Sequence, residues 1–395
     1  MQVCGVICEY NPFHKGHALH LEKAREKSRA DYIVCIMSGP LTQRGTFARH
    51  DKWTRARMAL LGGADLVLEL PVRFACSPAP DFALGGVLLL DALGVVTHLS
   101  FGCEERALPH LAQAAQVLSQ ESPEFSAALR KGLDSGLSYP RARALAAQEA
   151  GNIPDLADII SNPNAALALE YLRALPGHIA PVPVLREGSG YHDSSLSSLS
   201  SATAVRAALS QGLLADALSA VPSPSLLQQA EERGDIHPEE ALTQALLYRL
   251  RTMDSNALRS VSGMDEGLEY RFLSAAQKAS SREKLIALVK SKRYTHARLS
   301  RICANILLGV TQDFAADCRT PTYARILSFR REAQPLLHAI RRSSRIPLIA
   351  KAADYDPADP LFSLDLRAQD LWSLGVLNPE LRASGRDFVT SPVVL

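Results

Sequence analysis

Cys4-Gly5-Val6-Ile7-Cys8-Glu9-Tyr10-Asn11-Pro12-Phe13-His14-Lys15-Gly16-His17 is the stretch that decides the fold of this 395-residue chain. Val3 to Cys8 is apolar and partly β-branched, the composition of a strand buried in a parallel sheet. Asn11-Pro12 marks a turn, and Gly16 with Ala18 opens an amphipathic run in which Leu19 and Ala24 alternate with outward Lys23, Arg25 and Lys27. His14 and His17 therefore stand three residues apart where a strand feeds a helix.

A helix N-terminus presents unpaired N–H groups and a partial positive charge, so it attracts phosphate, and Gly16 lets the backbone come close to a bulky ligand. Two imidazoles there can donate to phosphoryl oxygens as charge builds during displacement. A pair of surface histidines on a turn is the alternative for an isolated His-x-x-His. No Cys-x-x-Cys and no third nearby ligand completes a zinc shell, so no metal ligands are assigned.

The pattern repeats as strand, helix, strand from Val3 to Phe101. Apolar runs at 3–8, 32–37, 65–70 and 96–101 alternate with helical segments near 16–29, 51–62 and 81–93. Repeats of this length predict a Rossmann-like α/β fold with a parallel sheet and right-handed crossovers. Ligands in such sheets bind beyond the carboxyl ends of the strands. The loops Glu9 to His17, Ser38 to Arg49, Pro71 to Pro80 and Gly102 to Glu105 are thus expected on one rim. Arg44 can meet an anion there or be solvated, Asp51 can cap the helix carrying Lys52 and Arg55, and Gly102 can let a base or ribose pack on the backbone. A returning strand at Ile179 to Leu185 ends in Arg186, making Arg186 a rim residue and a candidate nucleotide ligand.

At 47% hydrophobic the chain can build two domains. No window reaches the ~18 apolar residues of a membrane span, and the strand starting at Val3 leaves no room for a signal peptide. Seven scattered cysteines read as reduced thiols of a cytoplasmic protein. The net charge of +2 hides an asymmetry: residues 271–351 hold 17 Lys and Arg against 4 Asp and Glu, a net of +13, leaving −11 elsewhere. That is the layout of a polyanion-binding module beside an enzyme core, although a solvated basic face would count the same way.

Pro222 and Pro224 mark a boundary, after which the pattern is helical (226–233, 238–252, 266–279, 282–290, 293–308), with short strands at Arg325 to Ser328 and Ile346 to Ile349. Lys292, Arg293, Tyr294, Arg298 and Arg301 form the candidate RNA surface, charge for phosphates and a ring for stacking on an unpaired base. Arg330-Arg331, Arg341-Arg342 and Arg345 extend it. The tail, 352–395, carries no readable signal.

His14-Lys15-Gly16-His17 resembles the His-x-Gly-His signature of the nucleotidylyltransferase superfamily. The longer string Glu9 to His17 resembles the opening of the bacterial tRNA(Met) cytidine acetate ligases. Met37-Ser38-Gly39, Gln43-Arg44-Gly45, Asp51-Lys52-Trp53, Gly63 to Pro71, Ser100-Phe101-Gly102, Pro163-Asn164 with Glu170-Tyr171-Leu172, Gly190-Tyr191-His192-Asp193 and Lys292 to Thr295 are similar to the same family in order and spacing. Lys15 and Pro40-Leu41-Thr42 depart from it, standing where a small polar residue and Asn-Phe-Val are expected. Ser200-Ser201-Ala202-Thr203-Ala204-Val205-Arg206 resembles the second superfamily signature, a hydroxyl-rich helix start followed by a base.

The resemblance implies ATP binding by Ile7, Cys8, Glu9, Tyr10, Asn11, Pro12, Phe13, His14, Lys15, Gly16, His17, Ala18, Leu19 and His20, joined by Gly102, Asn164, Arg186, Ser200 and Ser201. It implies catalysis by His14, His17 and Arg206, with Mg²⁺ accompanying ATP. The implied architecture is a catalytic domain over 1–215 and a mainly helical, basic, tRNA-binding domain over 216–395. The implied reaction activates acetate as acetyl-adenylate and acylates N4 of the wobble cytidine of elongator tRNA(Met). A cofactor-forming adenylyltransferase would share both signatures but has no use for the basic segment. A non-catalytic RNA-binding protein would leave the signatures without a role.

Overall fold

The computed structural model describes residues 1–103, 108–120, 122–185, 201–265 and 267–395. Strands β1 (Val3–Cys8), β2 (Tyr32–Ser38), β3 (Leu66–Leu70), β4 (His98–Cys103) and β5 (Ala180–Leu185) are joined by β6 (Ala324–Phe329), β7 (Leu348–Ile349) and β8 (Val393–Val394) in one sheet. The order is β5-β4-β1-β2-β3-β6-β7, with β8 also on β6. Strands β1 to β5 are mutually parallel, and β6 meets β3 antiparallel.

The two side-chain sets of each strand explain the apolar runs. Val3, Ile7, Val34, Ile36, Leu66 and Leu68 pack on Phe82, Val87 and Leu90 of helix α4 (Ala79–Ala92). Cys4, Val6, Ile33, Cys35 and Val67 face Leu21 of helix α1 (Lys15–Ser28) and Trp53, Ala56 and Met58 of helix α2 (Lys52–Leu61). A strand covered on both faces has no polar alternation to show. Gly5 brings α4 down onto β1, since a Cβ there would lie 2.6 Å from Leu90 Cδ1.

Chain order places the ligand crevice. From β1 the chain steps outward to β2 and β3, then crosses back to β4 on the other side of β1. The switch point lies between β1 and β4, where crossovers leave in opposite directions and the carboxyl ends flank an open crevice.

The sheet does not stop at 215. Residues 324–394, placed with the basic helices by sequence, add three strands to it, and Lys52–Glu69 ties them in. Glu69 of β3 takes both oxygens to Lys52 Nζ at 2.8 Å, Arg325 of β6 reaches Asp387 at 2.7 Å, and Asp387 returns to Lys52 at 2.8 Å. All four are buried, two of each sign. Between the sheet segments, helices from Pro224–Glu232 to His296–Leu308 form the mainly helical region, with its own core around Leu250, Phe272, Ile286 and Ile302. All seven cysteines are free thiols. No helix among the described residues is long and apolar enough to cross a membrane.

Candidate active site

His14 caps α1: its Nδ1 accepts from Gly16 N–H at 3.1 Å, and its own N–H donates to His17 Nδ1 at 3.3 Å. Each hydrogen bond occupies Nδ1 as an acceptor, so a neutral ring carries its proton on Nε2. The two rings lie 3.7 Å apart. Gly16 is required for this cap, because a Cβ would sit 3.0 Å from His14 Cε1. Tyr10 (φ 47°) and Phe13 are buried and pack edge-on at 4.8 Å, with Tyr10 also 4.7 Å from the His17 ring. They are the floor beneath the histidines.

The rest of the expected ATP segment divides between floor and rim. The Ile7 side chain lies against Gly86 of α4, and Cys8 Sγ contacts the Ile36 carbonyl, so both hold the end of β1 in the sheet. Asn11 precedes a cis bond to Pro12, and its Oδ1 accepts from Arg49 N–H at 3.0 Å. Lys15 is exposed, with its backbone N–H on the Ala220 carbonyl at 3.0 Å. Ala18 and Leu19 are half-buried on the first turns of α1. His20 Nε2 meets Ser100 Oγ of β4 at 3.1 Å, bracing α1 across the switch point.

The second signature docks on the first. Ser201 caps the helix Ala202–Ser210 by accepting from Ala204 N–H at 3.2 Å, and Arg206 donates to the Asn11 carbonyl at 2.5 Å. Asp51 caps α2 as expected, accepting from the N–H groups of Trp53 and Thr54 at 2.9 Å. Gly102 is not in a loop. It lies within β4, paired with Val184, because the strand runs two residues further than its apolar pattern. Asn164 stands in the first turn of the helix Pro163–Ala174, its N–H held by Asn162 Oδ1 at 2.9 Å. Arg186, Ser200 and the Gly190 to Asp193 motif lie outside the described residues.

Arg55 is the organiser that sequence reading left on a helix. Its buried guanidinium donates to the carbonyls of Glu9 (2.8 Å), Ser38 (2.9 Å), His50 (3.0 Å) and Gly39. One side chain thus holds the loops after β1 and β2 together, and burial draws its pKa down to about 10 against the pull of Asp51 and Glu69. Glu9 accepts from Gln43 N–H at 2.5 Å, and burial raises its carboxyl above the usual range despite Arg206, Arg44 and Arg55. A fully buried arginine leaves no sequence signal that tells it from a solvated one.

In the helical region Lys292 and Arg293 are exposed. Tyr294 is not a free stacking platform: it is 7% exposed, in the core, under the Arg298 guanidinium at 5.3 Å. Arg298 pairs with Asp265 at 2.6 Å, and Arg301 donates to the Gln43 carbonyl at 3.0 Å. Arg330 serves α2 instead, donating to the Leu60 and Ala64 carbonyls, and Arg345 pairs with Asp91. Among the described residues no group of three His, Cys, Asp or Glu side chains converges as a metal site.

The HIGH Nucleotidyl Transferase family model matches residues 1–387. Two relatives named tRNA(Met) cytidine acetate ligase, from Syntrophomonas wolfei and Acetivibrio thermocellus, are 39% and 37% identical over the whole of this chain and 99% and 100% of their own. The crystal structure of Thermotoga maritima TmcAL bound with alpha-thio ATP matches with a TM-score of 0.93 at 32% identity, covering all of both chains.

Proposed function

Since the chain belongs to the HIGH nucleotidyl transferases, and among them to the tRNA(Met) cytidine acetate ligases, we propose that it is an ATP-dependent enzyme that activates acetate as acetyl-adenylate. It then passes the acetyl group to N4 of the wobble cytidine of elongator tRNA(Met). The observation that carries the reading is the pair of imidazoles whose Nδ1 atoms are both taken by backbone N–H groups at the start of α1.

That arrangement aims two Nε2–H donors from a helix N-terminus at the switch point. Acetate attacks the α-phosphorus in line, pyrophosphate leaves, and the histidines stabilise charge on the phosphoryl oxygens. Arg206 neutralises the pyrophosphate, and the Ser201 helix start adds further N–H groups. The segment Ile7 to His20, Gly102, Asn164, Arg186 and Ser200 complete the proposed ATP surface. Mg²⁺ is expected to accompany ATP. In the second step the cytidine amine attacks the acetyl carbonyl carbon, the C–O bond to AMP breaks, and one amine proton is lost. Lys292, Arg293, Arg298 and Arg301, with residues 216–395 around them, bring the RNA. This chemistry takes place where tRNA is, in the cytoplasm.

The test is ATP-dependent transfer of radiolabelled acetate to total bacterial tRNA, with pyrophosphate followed in a tRNA-free control. Label at a cytidine of one tRNA supports the ligase. ATP consumption without labelled tRNA refutes it in favour of adenylyl transfer to a small molecule.

A further inference from the structure

A cavity of about 170 Å³ lies between the segment that follows β3 and the helix His296–Leu308. Its walls are apolar at Val72, Ile302, Val310 and Leu364, and Arg73, Asp81, Arg298 and Arg301 line its polar edge. Pockets for drug-sized ligands run to about 300–1,000 Å³, so this one suits a single small ring. The three arginines differ in how they are satisfied: Arg298 pairs with Asp265 at 2.6 Å. Arg73 pairs with Asp81 at 3.2 Å and donates to the Ala315 carbonyl at 2.8 Å.

Arg301 has no ion pair among the described residues. It is half-buried, and its sole hydrogen bond there is Nη1–H to the Gln43 carbonyl. Burial lowers its pKa, helped by the neighbouring Arg298 charge and opposed by Asp81. Its remaining N–H groups are solvent-accessible and so open to an acceptor that enters the cavity. Gln43 links it to the nucleotide loop, accepting from Arg301 with its carbonyl while its N–H donates to Glu9.

Resting on the ligase reading, we propose that this cavity receives the acceptor base, a cytosine swung out of the RNA, and that Arg301 donates to its O2 and N3. The apolar walls cover the ring faces, as sites for flipped bases do. A fork of N–H donors matches the adjacent acceptors of cytosine and opposes the N3–H of uracil, so Arg301 selects the base and leaves N4 unbound for attack. Arg301 is then a specificity-determining residue.

The experiment compares wild type with Arg301→Met and with Ala315→Phe, which narrows the cavity without touching Gln43. Acetate-dependent ATP–pyrophosphate exchange without tRNA, acetyl transfer to tRNA, and competition by tRNA with uridine at the acceptor position are measured. Both variants should fall by about 50-fold or more in transfer, with exchange in Ala315→Phe changed less than about threefold. Arg301→Met should bind cytidine- and uridine-bearing tRNA alike, where wild type prefers cytidine. Full transfer by Ala315→Phe overturns the pocket. Equal weakening toward both tRNAs in Arg301→Met, with a shallower salt dependence, overturns base recognition in favour of a phosphate contact. If wild type shows no acetate-dependent exchange, the ligase reading fails, and the cytidine preference still decides whether the cavity reads a base.

Discussion

Arg206 donates to the main-chain carbonyl of Asn11 at 2.5 Å, joining two segments 195 residues apart. The contact fixes the helix Ala202–Ser210 against the loop that carries His14 and His17. A lysine keeps the charge but loses the planar fork that can hold the loop and a phosphate oxygen together. Arg206→Lys should therefore lower acetate-dependent exchange by about 100-fold, and Arg206→Ala by about 1,000-fold. Steady-state exchange measures this, and near wild-type rates in Arg206→Lys would show that the guanidinium serves the loop alone.

His14 combines a structural and a chemical role that two substitutions separate. His14→Ala removes both the cap on Gly16 and the imidazole, and should cost about 1 kcal/mol of stability as well as exchange activity. His14→Asn restores a good cap acceptor without an Nε2–H. Thermal melts should place His14→Asn beside wild type and His14→Ala below it, with exchange abolished in both. Active His14→Asn would reduce His14 to a cap.

Much of this was readable in the chain and some was not, for identifiable reasons. Strands β1 to β3 stand within a residue of their apolar runs, because residues buried on both faces leave a continuous signal. Strand β4 is shifted, since Val96 opens the apolar run two residues before the strand begins at His98. The antiparallel entry of β6 beside β3 was hidden: a short strand shows its own pattern but not its neighbour. Tail 352–395 looked blank although Trp372 is fully buried and donates from Nε1 to the Ala48 carbonyl at 2.6 Å. Its partner is 324 residues away. Likewise Lys52 and Arg55 read only as residues of the helix that Asp51 caps until their carboxylate and carbonyl partners from distant loops are in place.

Arg55 makes the site loops depend on one buried side chain. Arg55→Met would leave the carbonyls of Glu9, Ser38, Gly39 and His50 without their donor, at about 1–3 kcal/mol for each one left unsatisfied. Arg55→Lys can serve only part of the set. Denaturant melts should rank wild type, Arg55→Lys, Arg55→Met, with a rising apparent KM for ATP in any variant that folds. An unchanged KM in a destabilised variant would confine Arg55 to the fold.

Asp365 gives the fold a pH dependence of definite sign. Burial and the nearby Glu69 charge raise its carboxyl to about 8, while its oxygens accept from Val72 N–H at 2.7 Å and from the Tyr323 hydroxyl. Between the unfolded value near 3.8 and about 8 the folded protein holds a proton that the unfolded chain has released. Its contribution is therefore full below the unfolded value and lost as pH rises through the folded one. Asp365→Asn keeps an acceptor for Val72 and removes the titration, so its melting temperature should exceed that of wild type at pH 8 and converge with it near pH 4. A parallel pair of melting curves across that range would contradict the assignment.

Lys292 and Arg293 are adjacent exposed cations of the helical region, whereas Arg298 is already paired with Asp265 and stacked on Tyr294. Charge reversal at Arg298 must therefore break a folded contact as well as any RNA contact. The double variant Lys292→Glu/Arg293→Glu carries no such cost. It should leave melting temperature and ATP–pyrophosphate exchange intact, weaken tRNA binding, and reduce the slope of log K against log salt by about 2, one for each phosphate no longer neutralised. Binding titrations at several salt concentrations measure this, and an unchanged slope would move the RNA surface elsewhere on the basic segment, to Arg331, Arg341 and Arg342, which are also exposed.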